Sequence, residues 1–339
     1  MELNREVEMG QRDLATNKCL SDCERYADLI NAVVFGGEQK LCSEDLQEAD
    51  SKSVISGWLY KYGYKGRQLY RDIVKKAAFG TNFAVVGVEN QSEVHYLMPL
   101  RVMAYDLAEY EKQASKIRKL IRKTKNIPPA EFISQFGRGN QLHPCVTIVL
   151  YYGKEWDGSK ELHDLIDFTD IPEEMKEYVN NYKVHIVNVS KWENVEMFKT
   201  DLKQIFSFLR CANDRKKIQE LTDGDPEFQR LDEDAYDMLA EYANSPILKR
   251  LKKKYKKGGK VDMCKGLQDW AAEERLIGRE EGIERGIERG IERGIEIFIQ
   301  DKIEDGKSKE EIVGKLVLRF QINDVKAKGY YDKYSHITK

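Results

Sequence analysis

Three polar residues in the first third of the chain, Asp72, Glu89 and Gln91, have the types and the spacing of a hydrolytic site. Two apolar segments, residues 69–75 and 83–89, predict the strands of a hairpin. Because side chains alternate along a strand, Glu89 and Gln91 point to the same side. Asp72 is on the other strand, close enough for its carboxylate to face Glu89. We therefore expect two carboxylates and one amide to share a pocket.

Two carboxylates in one pocket repel each other, and a divalent cation best offsets that repulsion. At about 5 Å and an effective dielectric constant near 20, the cost is roughly 3 kcal/mol. Mg²⁺ prefers one or two carboxylates, waters and phosphate oxygens, and one of its waters can become a nucleophile. The residues thus predict a Mg²⁺ site, with Mn²⁺ as a substitute. The alternative is that Asp72 and Glu89 belong to a solvated sheet edge.

The elements that would position this pocket follow from hydrophobic periodicity. Helices are predicted at residues 22–35, 98–122, 160–166, 173–179 and 196–212, and further strands at 144–152 and 183–189. Strands and helices in this order predict an α/β fold with a mixed central sheet flanked by helices. From Leu231 onward no strand is predicted, so an all-helical C-terminal region should follow.

The chain also divides by composition. The predicted parts are a polar, frayed N-terminal segment (1–20), an α/β domain (21–222), a helical extension with a basic run (223–277), a Gly-Ile-Glu-Arg repeat helix or linker (278–298) and a C-terminal helical hairpin (299–339). Four residues advance an α-helix by about 400°, so each residue type of the repeat forms its own ridge. The repeat is either a solvated linker helix or a face through which the chain forms a homo-oligomer.

Several short sequence blocks carry a resemblance to a known family. Glu89 opens the block E-N-Q-S-E-V-H-Y-L-M-P-L-R, Asp72 closes Y-R-D, and F-G-G-E-Q occupies residues 35–39. Together they closely resemble the Rpn family of recombination-promoting nucleases and putative transposases, in the PD-(D/E)XK superfamily. The resemblance covers about residues 20–270, ending in D-M-C-K-G-L-Q-D at 262–269. It implies a restriction-endonuclease-like core and a Mg²⁺-dependent DNA endonuclease.

The resemblance also implies roles for individual residues. Asp72 and Glu89 look like the two acids that bind the metal ion, and Asp28 resembles an acid on the first helix that completes the metal shell. Gln91 falls where most of the superfamily has lysine, although other Rpn members also have glutamine. A lysine would bring a positive charge, whereas glutamine offers a neutral dipole. For Asp28 the alternative is an exposed acid on a helix.

Two basic runs could contact the phosphate backbone of DNA. Residues 112–125 hold seven basic and no acidic residues, and residues 249–260 hold eight basic residues. The residues predicted to bind DNA are Arg101, Lys116, Arg118, Lys119, Arg122, Lys123, Lys252, Lys253 and Lys254. Such contacts track phosphates without reading bases, which favours low sequence specificity. The alternatives are a salt bridge for Arg101 and a solvated charged face for each run.

The composition and the missing motifs limit the other locations, partners and cofactors that the sequence predicts. The 339 residues carry 56 Lys+Arg and 58 Asp+Glu, so the net charge of −2 provides no overall attraction to nucleic acid. No apolar segment approaches the ~20 residues of a membrane helix, and no secretory signal is present, so we expect a cytoplasmic protein without a membrane partner. The sequence contains no P-loop and no dinucleotide-binding motif, so no nucleotide cofactor is expected. The six cysteines are expected to be free thiols.

The sequence thus predicts a Mg²⁺-dependent DNA endonuclease of low sequence specificity, associated with recombination or with a mobile element. Asp72, Glu89 and Gln91 are its predicted catalytic residues. The alternative is a catalytically inactive DNA-binding or assembly module that uses the basic runs and the glycine repeat.

Overall fold

The computed structural model describes residues 2–49, 52–55, 67–70, 72–79, 82–212 and 214–335. It consists of two compact units, Met1–Leu267 and Gln268–Lys339. The strands are β1 Leu46–Glu48, β2 Lys52–Ile55, β3 Arg67–Tyr70, β4 Ile73–Phe79, β5 Asn82–Gln91, β6 Cys145–Tyr151, β7 His185–Asn188, β8 Leu231–Asp232, β9 Lys256–Lys257 and β10 Lys260–Val261. The helices are α1 Glu2–Leu20, α2 Cys23–Phe35, α3 Met98–Ile121, α4 Pro129–Ser134, α5 Glu173–Lys176, α6 Leu202–Cys211, α7 Arg215–Gly224, α8 Glu233–Tyr242, α9 Pro246–Tyr255, α10 Met263–Glu304, α11 Lys309–Phe320 and α12 Asp324–Tyr334.

A mixed sheet of five strands, in the order β1-β4-β5-β6-β7, forms the centre of the first unit. β4 and β5 are antiparallel, whereas β5, β6 and β7 run parallel. The predicted α/β fold with a mixed sheet flanked by helices is therefore confirmed. The first hairpin strand is shifted, since β4 begins at Ile73 and the segment 67–70 pairs with β2 instead.

Helix α2 illustrates how local sequence sets the flanking layer. The Asp22 carboxylate accepts a hydrogen bond from the Arg25 backbone N–H and begins the helix, and Gly36 ends it with φ of 62°. Tyr26 is fully buried on its inner face, and its hydroxyl donates to the Val86 carbonyl at 2.8 Å. This bond ties α2 to β5, the strand that carries Glu89.

The N-terminal segment is not frayed as predicted but forms helix α1. Thr16, Cys19 and Leu20 are buried, and the Thr16 hydroxyl lies 3.3 Å from the hydroxyl of Tyr242 at the end of α8. This tertiary packing stabilises the helix, and it cannot be detected from the polarity of the segment alone.

The segment after residue 222 also differs from the prediction. The first unit continues to Leu267, so the predicted boundary at residues 222–223 lies inside it. Tyr236 and Leu248 are fully buried, and the Tyr236 hydroxyl donates to the Leu248 carbonyl at 2.9 Å. The prediction that no strand follows residue 231 is wrong, because β8, β10 and β9 form a small antiparallel sheet. Each has two residues, too few to show alternation.

Helix α3 and strands β6 and β7 confirm their predictions closely. The other predicted helices are shorter. Residues 162–165 form a single 3₁₀ turn, α5 has four residues, and α6 begins at Leu202 after a separate turn.

The second unit is helical, as predicted for this end of the chain. The end of α10, α11 and α12 enclose a small core that includes Ile295, Ile299, Ile312 and Leu316. Ser308 and Glu311 form a capping box at the start of α11, in which the Ser308 hydroxyl accepts from the Glu311 backbone N–H at 3.3 Å. Among the described residues, no helix has the length and apolar character needed to cross a membrane.

Candidate active site

The register of β4 and β5 brings two of the predicted acids together. Ile73 pairs with Val88, so Asp72, just before β4, lies beside Glu89 near the end of β5. The Asn90 backbone N–H donates to Asp72 Oδ2 at 2.7 Å and fixes this carboxylate against β5. The predicted juxtaposition of Asp72 and Glu89 is therefore present.

Glu89 is almost completely buried, and its side-chain partners all contact one carboxylate oxygen. Its exposed fraction is 1%. Oε1 accepts from the Tyr105 hydroxyl at 3.2 Å and from the Gln91 side-chain amide at 3.3 Å, and it forms an ion pair with Arg101. Oε2 is buried and has no hydrogen-bond partner among the described residues. An unpaired buried carboxylate oxygen is costly unless a cation or a donor reaches it.

The electrostatics of Glu89 reflect this burial. Desolvation and, after it, the nearby charge of Asp72 raise the pKa of Glu89 to about 7, although Arg101, the Tyr105 hydroxyl and the Asp72 backbone N–H act in the opposite direction. The carboxyl group therefore keeps its proton to a higher pH than an exposed glutamate does. A bound cation would favour its charged form.

The residues present fit a hydrated divalent cation. Among the described residues, no group of three or more His, Cys, Asp and Glu side chains is placed to hold a metal ion. Asp72 and Glu89 would thus be its side-chain ligands, with waters and substrate oxygens in the other positions. This is how Mg²⁺ is commonly held in proteins. The buried Oε2 of Glu89 is the atom that most favours a cation here.

Helix α3 supplies the positively charged side chain, Arg101, that pairs with Glu89. Arg101 and Tyr105 are four residues apart on one face, and Arg101 Nε donates to the Tyr105 hydroxyl at 2.8 Å. The first turns of the helix are held by Met98 and Val102, which pack against Val149 of β6. Of the two roles predicted for Arg101, the structure shows the salt bridge.

The sequence reasoning missed a second layer of polar residues on α1. Asn17 donates to Asp72 Oδ1 at 3.4 Å and accepts from the Asn90 side-chain amide at 2.7 Å. The Tyr152 hydroxyl donates to Asn90 Oδ1 at 3.1 Å. One turn earlier on α1, burial and the charge of Asp72 raise the pKa of Asp13. The i, i+4 spacing of Asp13 and Asn17 was the available signal.

Asp28 has a different environment from the one predicted. Its carboxylate accepts from the backbone N–H groups of Lys199 and Thr200, the latter at 2.8 Å, and from the Thr200 hydroxyl at 2.7 Å. It is 3% exposed, so the helix acid is not a solvated one. These bonds hold the loop before α6 on α2, and we leave Asp28 out of the proposed metal site.

The basic run on α3 lies at the far end of the helix from Arg101. Lys116, Lys119, Arg122 and Lys123 are exposed. At 1.5 Å per residue, Lys116 and Lys119 lie about 22 and 27 Å along the helix axis from Arg101, and Arg122 and Lys123 follow Ile121, the last residue of the helix. Arg118 is half-buried and pairs with Glu111 at 3.1 Å. Their contact with DNA stays a prediction.

The second basic run is largely paired with acids of the same unit. Lys252 contacts Asp237 at 2.7 Å and Glu233 at 3.3 Å. Its neighbours at 249, 256 and 260 also form ion pairs, with Glu241, Glu233 and Asp232. The run therefore presents less free positive charge than the sequence indicates, and Lys252 is committed to α8. Lys253 and Lys254 are exposed.

Comparisons of the chain with protein-family models, with curated proteins and with solved structures found no match. The geometry around Asp72 and Glu89, together with the quoted sequence blocks, is therefore the basis for assigning a function.

Proposed function

We propose that the chain is a Mg²⁺-dependent DNA endonuclease of the Rpn type, with a restriction-endonuclease-like core, low sequence specificity and a role in recombination or in a mobile element. One observation carries the proposal. The buried carboxylate of Glu89 lies beside Asp72 and has an oxygen without a partner among the described residues. A cation at that oxygen would relieve both the desolvation of Glu89 and its repulsion from Asp72.

Each residue of the site has a proposed part in phosphodiester hydrolysis. Asp72 and Glu89 would hold Mg²⁺, which when bound supplies Lewis acidity and a water of lowered pKa. The Gln91 side-chain amide, 3.3 Å from Glu89, would orient a water or a phosphate oxygen as a neutral dipole. One third of the Arg101 side chain is exposed, so its guanidinium can pair with a phosphate oxygen as well as with Glu89.

Low sequence specificity is supported by the lysines that are exposed at the far end of α3 from Arg101. Each presents a compact positive charge that can pair with a phosphate oxygen. Contacts to phosphates position a protein on DNA but carry no sequence information.

A second candidate function is favoured by the ion pair at Glu89. Arg101 already neutralises this acid, and Gln91 brings no charge to the position. A DNA-binding or assembly module without catalytic activity would have such a site. The two candidates differ in whether a divalent cation changes what the protein does to DNA.

Nicking of supercoiled plasmid distinguishes them. We expect the wild type to nick DNA with Mg²⁺ and to stop when the ion is chelated, and we expect Glu89→Ala to be inactive. The matched control is Glu174→Ala, which removes an exposed carboxylate on α5 and should leave nicking unchanged. Equal nicking by the wild type and Glu89→Ala would contradict the assignment. Salt-dependent DNA binding without nicking would instead support the inactive module.

A further inference from the structure

An exposed apolar surface lies where α3 ends and α4 follows. Leu120, Phe132 and Ile133 are 66%, 71% and 81% exposed. Isolated apolar side chains are common on protein surfaces. Phe132 of α4, however, lines one cavity with Ile121 and Arg122 at the end of α3, so exposed apolar side chains of both helices lie in one region, and such a patch indicates a binding partner. We call Leu120, Phe132 and Ile133 the apolar tip.

Basic residues flank Leu120 of the apolar tip in the sequence. Lys119, Arg122, Lys123 and Lys125 are exposed on the same segment. The one acid of α4, Glu131, accepts a hydrogen bond from the Arg138 backbone N–H at 3.0 Å and is thus engaged with its own loop. A partner that fits this surface must carry negative charge for the basic residues and apolar groups for the exposed side chains. A nucleic acid whose bases are accessible has both.

The position of the tip relative to the candidate active site argues for duplex DNA. Arg101, beside Glu89, and Leu120 are on the same helix, nineteen residues apart. The intervening helix is about 28 Å long at 1.5 Å per residue. One turn of B-DNA is about 34 Å. If a duplex is bound at Glu89 and lies along α3, it would therefore meet the apolar tip slightly less than one helical turn of DNA from Glu89.

We propose that the apolar tip is a wedge that enters the base stack of duplex DNA, with Phe132 and Ile133 as the inserted side chains. This proposal depends on the proposed function for its substrate class. The basic residues would hold the phosphates on either side. The inserted side chains would unstack the bases next to Phe132, as the apolar wedges of DNA-bending proteins do. The kinked duplex would then lie along α3.

An anionic membrane is the other surface that apolar and basic residues can bind. α4 has six residues, fewer than two turns, and offers a point of insertion rather than an amphipathic face. The continuity of the basic run with Arg101 along α3 favours DNA.

The test uses the full chain and a duplex containing 2-aminopurine, whose fluorescence rises when it is unstacked, without divalent ion so that nothing is cleaved. We expect the wild type to raise the fluorescence. Phe132→Ala should remove most of that rise and weaken binding at least about fivefold, in line with the loss of one stacked aromatic side chain. The slope of affinity against salt should stay the same, because no charge is removed. The matched control, Tyr178→Ala, removes an aromatic side chain that is 87% exposed on a different segment of the chain and should change nothing.

The outcomes separate this proposal from the proposed function. A wild type that nicks plasmid, with equal fluorescence for Phe132→Ala, overturns the wedge and leaves the endonuclease. A wild type that unstacks DNA through Phe132 but never nicks it supports the wedge and contradicts the endonuclease. Failure of the wild type to bind duplex DNA, or binding to phosphatidylserine vesicles that depends on Phe132, overturns the wedge.

Discussion

Arg101 and Glu89 form an ion pair in which the acid is buried and the Arg101 side chain remains one-third exposed. The pair leaves Glu89 Oε2 without a partner among the described residues, and it places a positive charge beside the buried carboxylate. In the proposed enzyme, Arg101 holds the charged form of Glu89 and also faces the substrate phosphate. Removing the guanidinium should therefore impair both functions.

Arg101→Ala is expected to lower plasmid nicking by at least about tenfold, since one charge-stabilising donor in an active site contributes roughly that much or more. Arg101→Lys keeps the charge but loses the planar fork, so it should retain part of the activity. Initial rates at saturating Mg²⁺ measure both variants. Faster nicking by Arg101→Ala would mean that the ion pair blocks the site, contrary to our account.

The raised pKa of Glu89 predicts a pH dependence of stability in the absence of divalent ions. The folded protein holds this proton up to about pH 7, whereas the unfolded chain releases it near pH 4.5. Stability should therefore fall as pH rises between these values. Relative to Glu89→Gln, the wild type should lose up to about 3 kcal/mol of unfolding free energy across that interval. Urea titrations in chelator at several pH values provide the comparison, and parallel pH profiles for the two proteins would show that burial does not perturb Glu89.

A substitution of Asp28 tests whether this residue stabilises the fold or binds the metal ion. Asp28→Asn keeps the shape but weakens the bonds to Lys199 and Thr200, so unfolding free energy should fall by about 1–3 kcal/mol. The Mg²⁺ concentration that gives half-maximal nicking should not change. An increase in that concentration without loss of stability would restore Asp28 to the metal shell.

Self-association is one of the two predicted roles of the glycine repeat, and the exposed isoleucines of the repeat allow a test of it. Deleting residues 278–296 would remove Ile295, which belongs to the core of the second unit. Ile283, Ile287 and Ile291 are instead about half exposed, and Gly286 has open space around it. Changing the three isoleucines to Gln should lower the mass measured by light scattering and spare nicking. Glu284→Gln with Glu288→Gln is the control, and an unchanged mass for the isoleucine variant would leave the linker interpretation.

The parts of the site that were predictable are those that depend on neighbours in sequence. The hairpin register joins Asp72 to Glu89, and strand alternation places Gln91 beside Glu89. The contact between Asn17 and Asp72 spans 55 residues and depends on the packing of α1, which has no strong local apolar pattern. Such a contact follows from tertiary packing and not from propensity.

The same reason explains why the basic run at 249–260 was overestimated. A count of lysines does not show that Lys252 faces Asp237 and Glu233, because that pairing depends on how α8 and α9 pack. The short strands β8–β10 were missed for lack of alternation, as a strand of two residues has no period to detect.

The central claim is that Asp72 and Glu89 bind one divalent ion. A crystal of the full chain soaked in millimolar Mn²⁺, with anomalous diffraction recorded for manganese, tests it most directly. Our account predicts one anomalous peak in contact with Glu89 Oε2 and with Asp72, and the loss of that peak in Glu89→Ala. Manganese at other positions only, or none in the crystal, would contradict it.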